Sequence, residues 1–260
     1  MAIDGACDKT QNSLSAEKQR VSTLNSLANA GHANPKQSKN WEEVAQTAFD
    51  HPNADHARQE LSRSLGVSAE SLQRIGVGAL DGSRGWTMPE RNGTGMVIGI
   101  NRRFPSGTSR RECGCMPGLT FDPERWREFE DVPDLYLVDG AIETAAMLTM
   151  GLTAIGRPSN LGGGDLLAEL LNGFNRDRRI VVVGAQDRKT HESMPPATQA
   201  RHKTDCTGCS VCWPGWYGAV RTAEQLARLL NRETSWTLVP EGFQEIRDWM
   251  NNCNKAERRT

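Results

Sequence analysis

Two apolar runs, Leu135-Tyr-Leu-Val-Asp139-Gly140 and Ile180-Val-Val-Val-Gly184-Ala-Gln-Asp187, each finish on an acid where the chain must turn. Runs this short, separated by segments of helical period, read as parallel strands covered on both faces. Open α/β sheets place their ligands at the C-terminal ends of such strands. Two carboxylates at two strand ends point to a divalent metal site.

From Leu135 the pattern alternates regularly: strand 135–138, helix 141–150, strand 153–156, helix 165–171, strand 180–183, helix 218–230, strand 236–239 and helix 243–250. Alternation of this kind builds a parallel sheet flanked by helices. Helix 141–150 is apolar nearly all round, through Ile142, Ala145, Ala146, Met147, Leu148 and Met150, and is expected to be buried. Upstream the organisation differs. Residues 1–40 are rich in Asn, Gln, Ser and Lys and cannot bury enough apolar area to order themselves, so they read as a disordered polar tail. Helical patches follow from Trp41 to Leu65, and Ser68 is placed to cap a short helix through Leu72 and Ile75. Two strand-like runs, 85–91 and 96–104, flank the turn-forming Asn92-Gly93-Thr94-Gly95, with a third strand expected near Arg110 and Arg111. The domains expected are thus a helical lead-in with a basic β-hairpin module over 41–130, an α/β domain over 131–252 with a Cys-rich insertion at 190–217, and a tail at 253–260.

Hydrophobic content of 37% in 260 residues is enough for one good core, and the net charge of −1 conceals a local imbalance. Between residues 84 and 111 stand Arg84, Arg91, Arg102, Arg103, Arg110 and Arg111, close to the acid Glu90. Such a stretch suits phosphate-bearing partners, or serves as the solvated face of a basic hairpin. No apolar stretch approaches a membrane span, and the N-terminus lacks the basic start and apolar middle of a signal peptide, so a cytoplasmic protein with no membrane partner is expected. Seven cysteines without an export signal argue for reduced thiols or metal ligands.

Three of those cysteines form the second constellation, His202-Lys-Thr-Asp-Cys206-Thr-Gly-Cys209-Ser-Val-Cys212. Thiols spaced by two residues can close around one soft ion, and His202 offers a fourth donor, the set of a structural Zn²⁺ site. An iron–sulfur cluster and a loop of metal-free thiols are the rival readings. Cys113 and Cys115 are further donors if the hairpin approaches this loop.

Five segments in order resemble the successive motifs of the TOPRIM domain, in the version found in bacterial, phage and plasmid DNA primases. They are Val138-Asp139-Gly140-Ala-Ile-Glu143, Gly151-Leu-Thr-Ala-Ile-Gly156-Arg-Pro-Ser, Val183-Gly-Ala-Gln-Asp187-Arg-Lys, Pro214-Gly215-Trp-Tyr-Gly218-Ala219, and Pro240-Glu-Gly242 through Asp248-Trp249. The hairpin with Trp86-Thr-Met-Pro-Glu-Arg91 and Gly99-Ile-Asn-Arg-Arg103 is similar to the basic segment that precedes TOPRIM in such proteins. The resemblance implies an α/β TOPRIM-type parallel sheet, a glutamate and an Asp-x-Asp pair holding Mg²⁺ or Mn²⁺, and nucleotidyl transfer for primer synthesis on a DNA template. Asp139, Glu143 and Asp187 are then the catalytic candidates, with Asp139 and Asp187 as metal ligands. Arg102, Arg103, Arg110, Arg111, Arg188 and Lys189 are candidates for nucleic acid and nucleoside triphosphates, and a separate replicative helicase for partner.

The chain departs from that pattern where Asp139 replaces glutamate, Glu143 replaces aspartate and Ala185 replaces the first acid of the Asp-x-Asp pair. One first ligand is therefore gone, and a second reading stays open: Asp139 and Asp187 cap the structures that follow them, and the protein is a catalytically degenerate nucleic-acid-binding adaptor. A TOPRIM nuclease is a third. Neither Tyr136, in a core strand, nor Tyr217, beside the cysteine loop, is placed as a topoisomerase nucleophile. The absence of a GxxxxGK[ST] loop argues against an ATPase engine.

Overall fold

The computed structural model describes residues 39–80, 85–127 and 134–257; Arg84, residues 1–38 of the expected tail and residues 258–260 lie outside them. Two four-stranded sheets make up the unit from Asn40 onward. Three helices lead in: α1 (Trp41–Phe49), α2 (Ala54–Leu65) and α3 (Ala69–Arg74). Asn40 caps the first through its side chain, and Ser68 accepts the Ser71 N–H at 3.0 Å at the start of the third.

The first sheet is antiparallel, in the order β1 (Gly78–Ala79), β2 (Trp86–Arg91), β3 (Val97–Arg103), β4 (Ser109–Arg111). Pro89 sits past the end of the two-residue β1, where β2 has no neighbour on that side, the place a strand tolerates a missing N–H. The expected third strand is β4, pairing Arg102 with Arg110 and Arg103 with Ser109.

The second sheet is parallel, in the order β6-β5-β7-β8, with β5 Asp134–Asp139, β6 Ala154–Arg157, β7 Arg179–Gly184 and β8 Ser235–Leu238. Its flanking helices are α4 (Gly140–Thr149), α5 (Gly164–Leu170), α7 (Pro214–Leu230) and α8 (Ile246–Glu257); the short α6 (Pro196–Gln199) lies in the cysteine loop. Strand alternation divides the core in two. Leu135, Leu137, Ile180 and Val182 face Leu167, Ala219, Ala223 and Leu226 on one side. Val138 and Val183 face Ala145, Met147 and the lead-in residues Leu61, Leu72 and Ile75 on the other. Burial of Ala145, Ala146, Met147 and Leu148 bears out the reading of α4 as an interior helix.

Leu119 and Thr120 join the two sheets. Leu119 exchanges two backbone hydrogen bonds of 2.7 Å with Arg91 of β2, and Thr120 exchanges bonds of 3.0 and 2.7 Å with Gly156 of β6. Helix α8 runs to Glu257, past the end expected for it near Met250, and α7 starts at Pro214 rather than near Gly218. Among the described residues no helix is long and apolar enough to cross a membrane.

Candidate active site and cysteine cluster

Because β5 and β7 are neighbours in a parallel sheet, the acids that follow them emerge along one edge. Asp139 ends β5, and Gly140, at φ +73°, lets the backbone turn at once into α4. The first turn of that helix then carries Glu143 into the same recess. Glu245, just before α8, enters it from the strand beyond β7. These three acids line a cavity of about 400 Å³ together with Ala185, Asn101, Arg103, Ser109 and Arg247. The parallel sheet thus supplies the acids, and the antiparallel sheet supplies Asn101, Arg103 and Ser109.

The electrostatics are those of crowded carboxylates. Burial pushes the Glu143 carboxyl up to about 7, and the neighbouring charge of Glu245 adds to the rise; the Arg247 N–H, donating to Glu143 Oε2 at 3.1 Å, opposes it. Asp139 is also raised, first by burial, then by Asp187 and Glu245, with the Arg157 guanidinium acting the other way. Glu245 thus adds negative charge beside both Asp139 and Glu143, but the oxygens of the three acids are not gathered within 4.8 Å of one another as the donors of a formed site would be. Asp187 is within electrostatic reach of Asp139, but its Oδ1 accepts the Gly215 N–H of α7 at 2.9 Å. Position 185, facing the cavity, brings no charge.

Two groups in the site escaped the sequence reading. Glu245 obeys the same rule as Asp139, an acid after a strand end, but stands seven residues past Leu238. Arg157 ends the apolar strand β6 and is fully buried. Its guanidinium donates to the carbonyls of Val138 (3.3 Å), Val183 (3.2 Å) and Asn160 (2.8 Å) and to Thr222 Oγ1 (3.1 Å). It bridges the penultimate carbonyls of the neighbouring strands β5 and β7, a charge that burial makes easier to neutralise and Asp139 helps to retain.

The arginine stretch divides over two faces. Adjacent strand residues point opposite ways, so Arg103 and Ser109 face the acids while Arg102 and Arg110 lie on the other side of the sheet. Arg111 is held by a two-pronged bond to the buried Glu90, at 2.6 and 2.9 Å, and Arg102 pairs with Glu112. Arg103 is lowered by burial, then by the facing Arg247, with Glu245 compensating. Arg188 and Lys189 are exposed beyond Asp187, Arg188 lying 5.2 Å over the Trp213 ring.

At the second constellation, one ligand atom each from His202, Cys206, Cys209 and Cys212 lies within 4.8 Å of the others. Among the described residues this is the one group of three or more such donors gathered so closely. Burial would raise the Cys209 thiol, but hydrogen bonds from the Cys212 backbone, His202 and the Val211 N–H draw it down to about 6. Cys115 does not join: its Sγ accepts the Ile100 N–H at 3.0 Å on β3.

No family model and no curated protein matches this chain. Solved structures do. A DnaG primase catalytic domain bound to single-stranded DNA aligns with a TM-score of 0.54 at 13% identity, over 84% of this chain and 75% of that one. The fold is that of the DNA primase catalytic core. The E. coli primase catalytic core (TM-score 0.53, 14% identity, 82% and 74% covered) and the RNA polymerase domain of Mycobacterium tuberculosis primase DnaG (0.50, 16%, 83% and 77%) share it. Asp139 stands at the C-terminal edge of the parallel sheet, at the end of β5.

Proposed function

We propose that this chain is a primase-like protein that joins nucleotides on a DNA template in replication with the help of Mg²⁺ or Mn²⁺. The observation that carries the reading is the meeting of Asp139, Glu143 and Glu245 in one recess of a primase-type fold, opposite Arg103 and Arg247. Asp139, Glu143 and Glu245 would hold the divalent cation, with Asp187 nearby. Bound there, it would neutralise triphosphate charge and keep positions open for water and phosphate oxygens. Burial and Glu245 hold the Glu143 carboxyl up to about 7, and a bound cation would offset both by favouring its ionised form. Arg103 faces the cavity and would bind nucleotide phosphate, while the exposed Arg188 and Lys189 and, on the other sheet face, Arg110 would contact template backbone. Arg102 and Arg111, engaged with Glu112 and Glu90, serve the hairpin's rigidity in this reading. Zn²⁺ is the ion proposed for the Cys3His cluster.

A second reading is favoured by Ala185 and by the commitment of Asp187 to the Gly215 N–H: a nucleic-acid-binding adaptor without catalysis. Primer synthesis on single-stranded DNA with Mn²⁺ and ribonucleotides or deoxynucleotides separates them. The enzyme reading expects product from the natural chain and a loss of about 100-fold or more in Asp139→Ala. Product from Ala185→Asp alone would establish the adaptor reading, and scission of the template without nucleotides would identify a nuclease.

A further inference from the structure

We infer that a Zn²⁺ ion held by His202, Cys206, Cys209 and Cys212 fastens the segment Asp187-Arg188-Lys189 in place, so that zinc loading sets the geometry of one side of the acidic recess. This rests on the zinc assignment proposed above.

The donor set fits a tetrahedral ion. Ligands at the usual Zn–S and Zn–N lengths stand about 3.8 Å apart for two thiolates and about 3.6 Å for thiolate and imidazole. Here Cys212 Sγ lies 3.6 Å from the Sγ atoms of both Cys206 and Cys209, and His202 Nε2 lies 3.2 Å from Cys209 Sγ. These three separations are therefore close to those of a loaded site, slightly contracted, and all four donors lie within 4.8 Å of one another.

Besides the cluster, the loop is ordered by the Gln199 amide donating to the Glu192 and Met194 carbonyls and by the His191 ring against the Gln199 carbonyl. From residue 190 to 211, Met194 is the one buried residue, and the regular structure amounts to a 3-10 turn at His191–Ser193 and the four-residue α6. A stretch of that length without a core of its own is held by cross-links or not at all.

What the cluster reaches is specific. Cys212, its last ligand, accepts the Lys189 N–H through its carbonyl at 2.7 Å. The next residue, Trp213, donates its N–H to the Cys209 carbonyl at 2.9 Å and lies under the Arg188 guanidinium. Two residues further on, the Gly215 N–H donates to Asp187 Oδ1. Residues 212, 213 and 215 thus contact 189, 188 and 187 in turn, a short clasp that starts at a metal ligand and ends in the first turn of α7. The base of the clasp is tight: a Cβ on Gly215 would stand 2.6 Å from the Ala185 nitrogen. Gln186 is tied on its other side to the Gln244 carbonyl at 3.0 Å, next to Glu245.

The test uses the full chain under reducing conditions. Elemental analysis should find about one zinc per chain. Amide hydrogen exchange, followed residue by residue, should then compare the zinc-loaded protein, the protein stripped by a chelator, and the stripped protein refilled with Zn²⁺. Stripping is expected to speed exchange at the Lys189 and Gly215 amides about tenfold or more, with restoration on refilling and no change in the β5 amides. Cys209→Ser should behave as the stripped protein does even with added zinc. Zinc bound, but Lys189 and Gly215 unmoved by its removal, would overturn the fastening role. Protection of these amides in a protein that neither carries nor takes up zinc would overturn the metal assignment itself. Zinc-dependent protection in a chain that makes no primers would leave this inference standing and remove the enzymatic reading.

Discussion

Replacing Glu143 by Gln tests the electrostatics of the recess directly. In the fold this carboxyl keeps its proton up to about pH 7, against 4.5 in an open chain, because of burial and the facing Glu245. Between those values the folded state binds a proton that the unfolded state has lost, so stability falls as pH rises from about 4.5 to about 7. At 1.36 kcal/mol per pH unit the interval corresponds to about 3 kcal/mol, reduced to about 2 by solvent at the mouth of the cavity. Gln keeps an oxygen for the Arg247 N–H and carries no charge. The variant should therefore match the natural chain near pH 4.5 and exceed it by about 2 kcal/mol at pH 8, seen as a melting temperature about 4–8 °C higher. The two proteins differ in this one carboxyl, so the growth of their difference with pH reports on Glu143. Urea unfolding at a series of pH values measures it. A difference between the two proteins that does not grow with pH refutes the account of Glu143 as a crowded, desolvated acid.

The same recess yields further expectations. Glu245→Gln removes the like charge, so the Glu143 carboxyl, followed by NMR titration, should move down toward the ordinary range; an unmoved titration would mean that the two acids do not face each other. Arg157→Met strips partners from the carbonyls of Val138, Val183 and Asn160 and leaves Asp139 without its buried counter-charge, and should cost about 3 kcal/mol or more in urea unfolding. A loss under 1 kcal/mol would show that water replaces the guanidinium. Gly215→Ala places a methyl against the Ala185 backbone and should destabilise the chain by about 2 kcal/mol or more, with faster exchange of the Gly184 and Ala185 amides as its signature.

Much of this was legible from residue order. The apolar runs at 135–138 and 180–183 became β5 and β7 with one or two residues added at their ends, because strands buried on both faces announce themselves without context. The acids at their ends were found by the same logic. What stayed hidden depended on partners distant in sequence. The start of α7 at Pro214 is satisfied by Asp187, twenty-eight residues upstream, so no local cap marks it. The role of Arg157 was among these, because the strand carbonyls of Val138 and Val183 that accept from it lie 19 and 26 residues away. The arginine stretch misled for a different reason. Charge counted along the chain ignores that Arg102 and Arg103 point to opposite faces of a strand, and that Glu90 and Glu112 answer Arg111 and Arg102. The two-residue β1 is too short for any periodicity to register.

The seam at Leu119 and Thr120 governs how the recess can respond to an occupant. Two backbone hydrogen bonds tie β2 to Leu119 and two more tie Thr120 to β6, so a hinge between the sheet bearing Arg103 and the sheet bearing Asp139 would have to break this seam. On the opposite side of the recess, order passes instead through the contacts of Asp187, Arg188 and Lys189 with the cysteine loop.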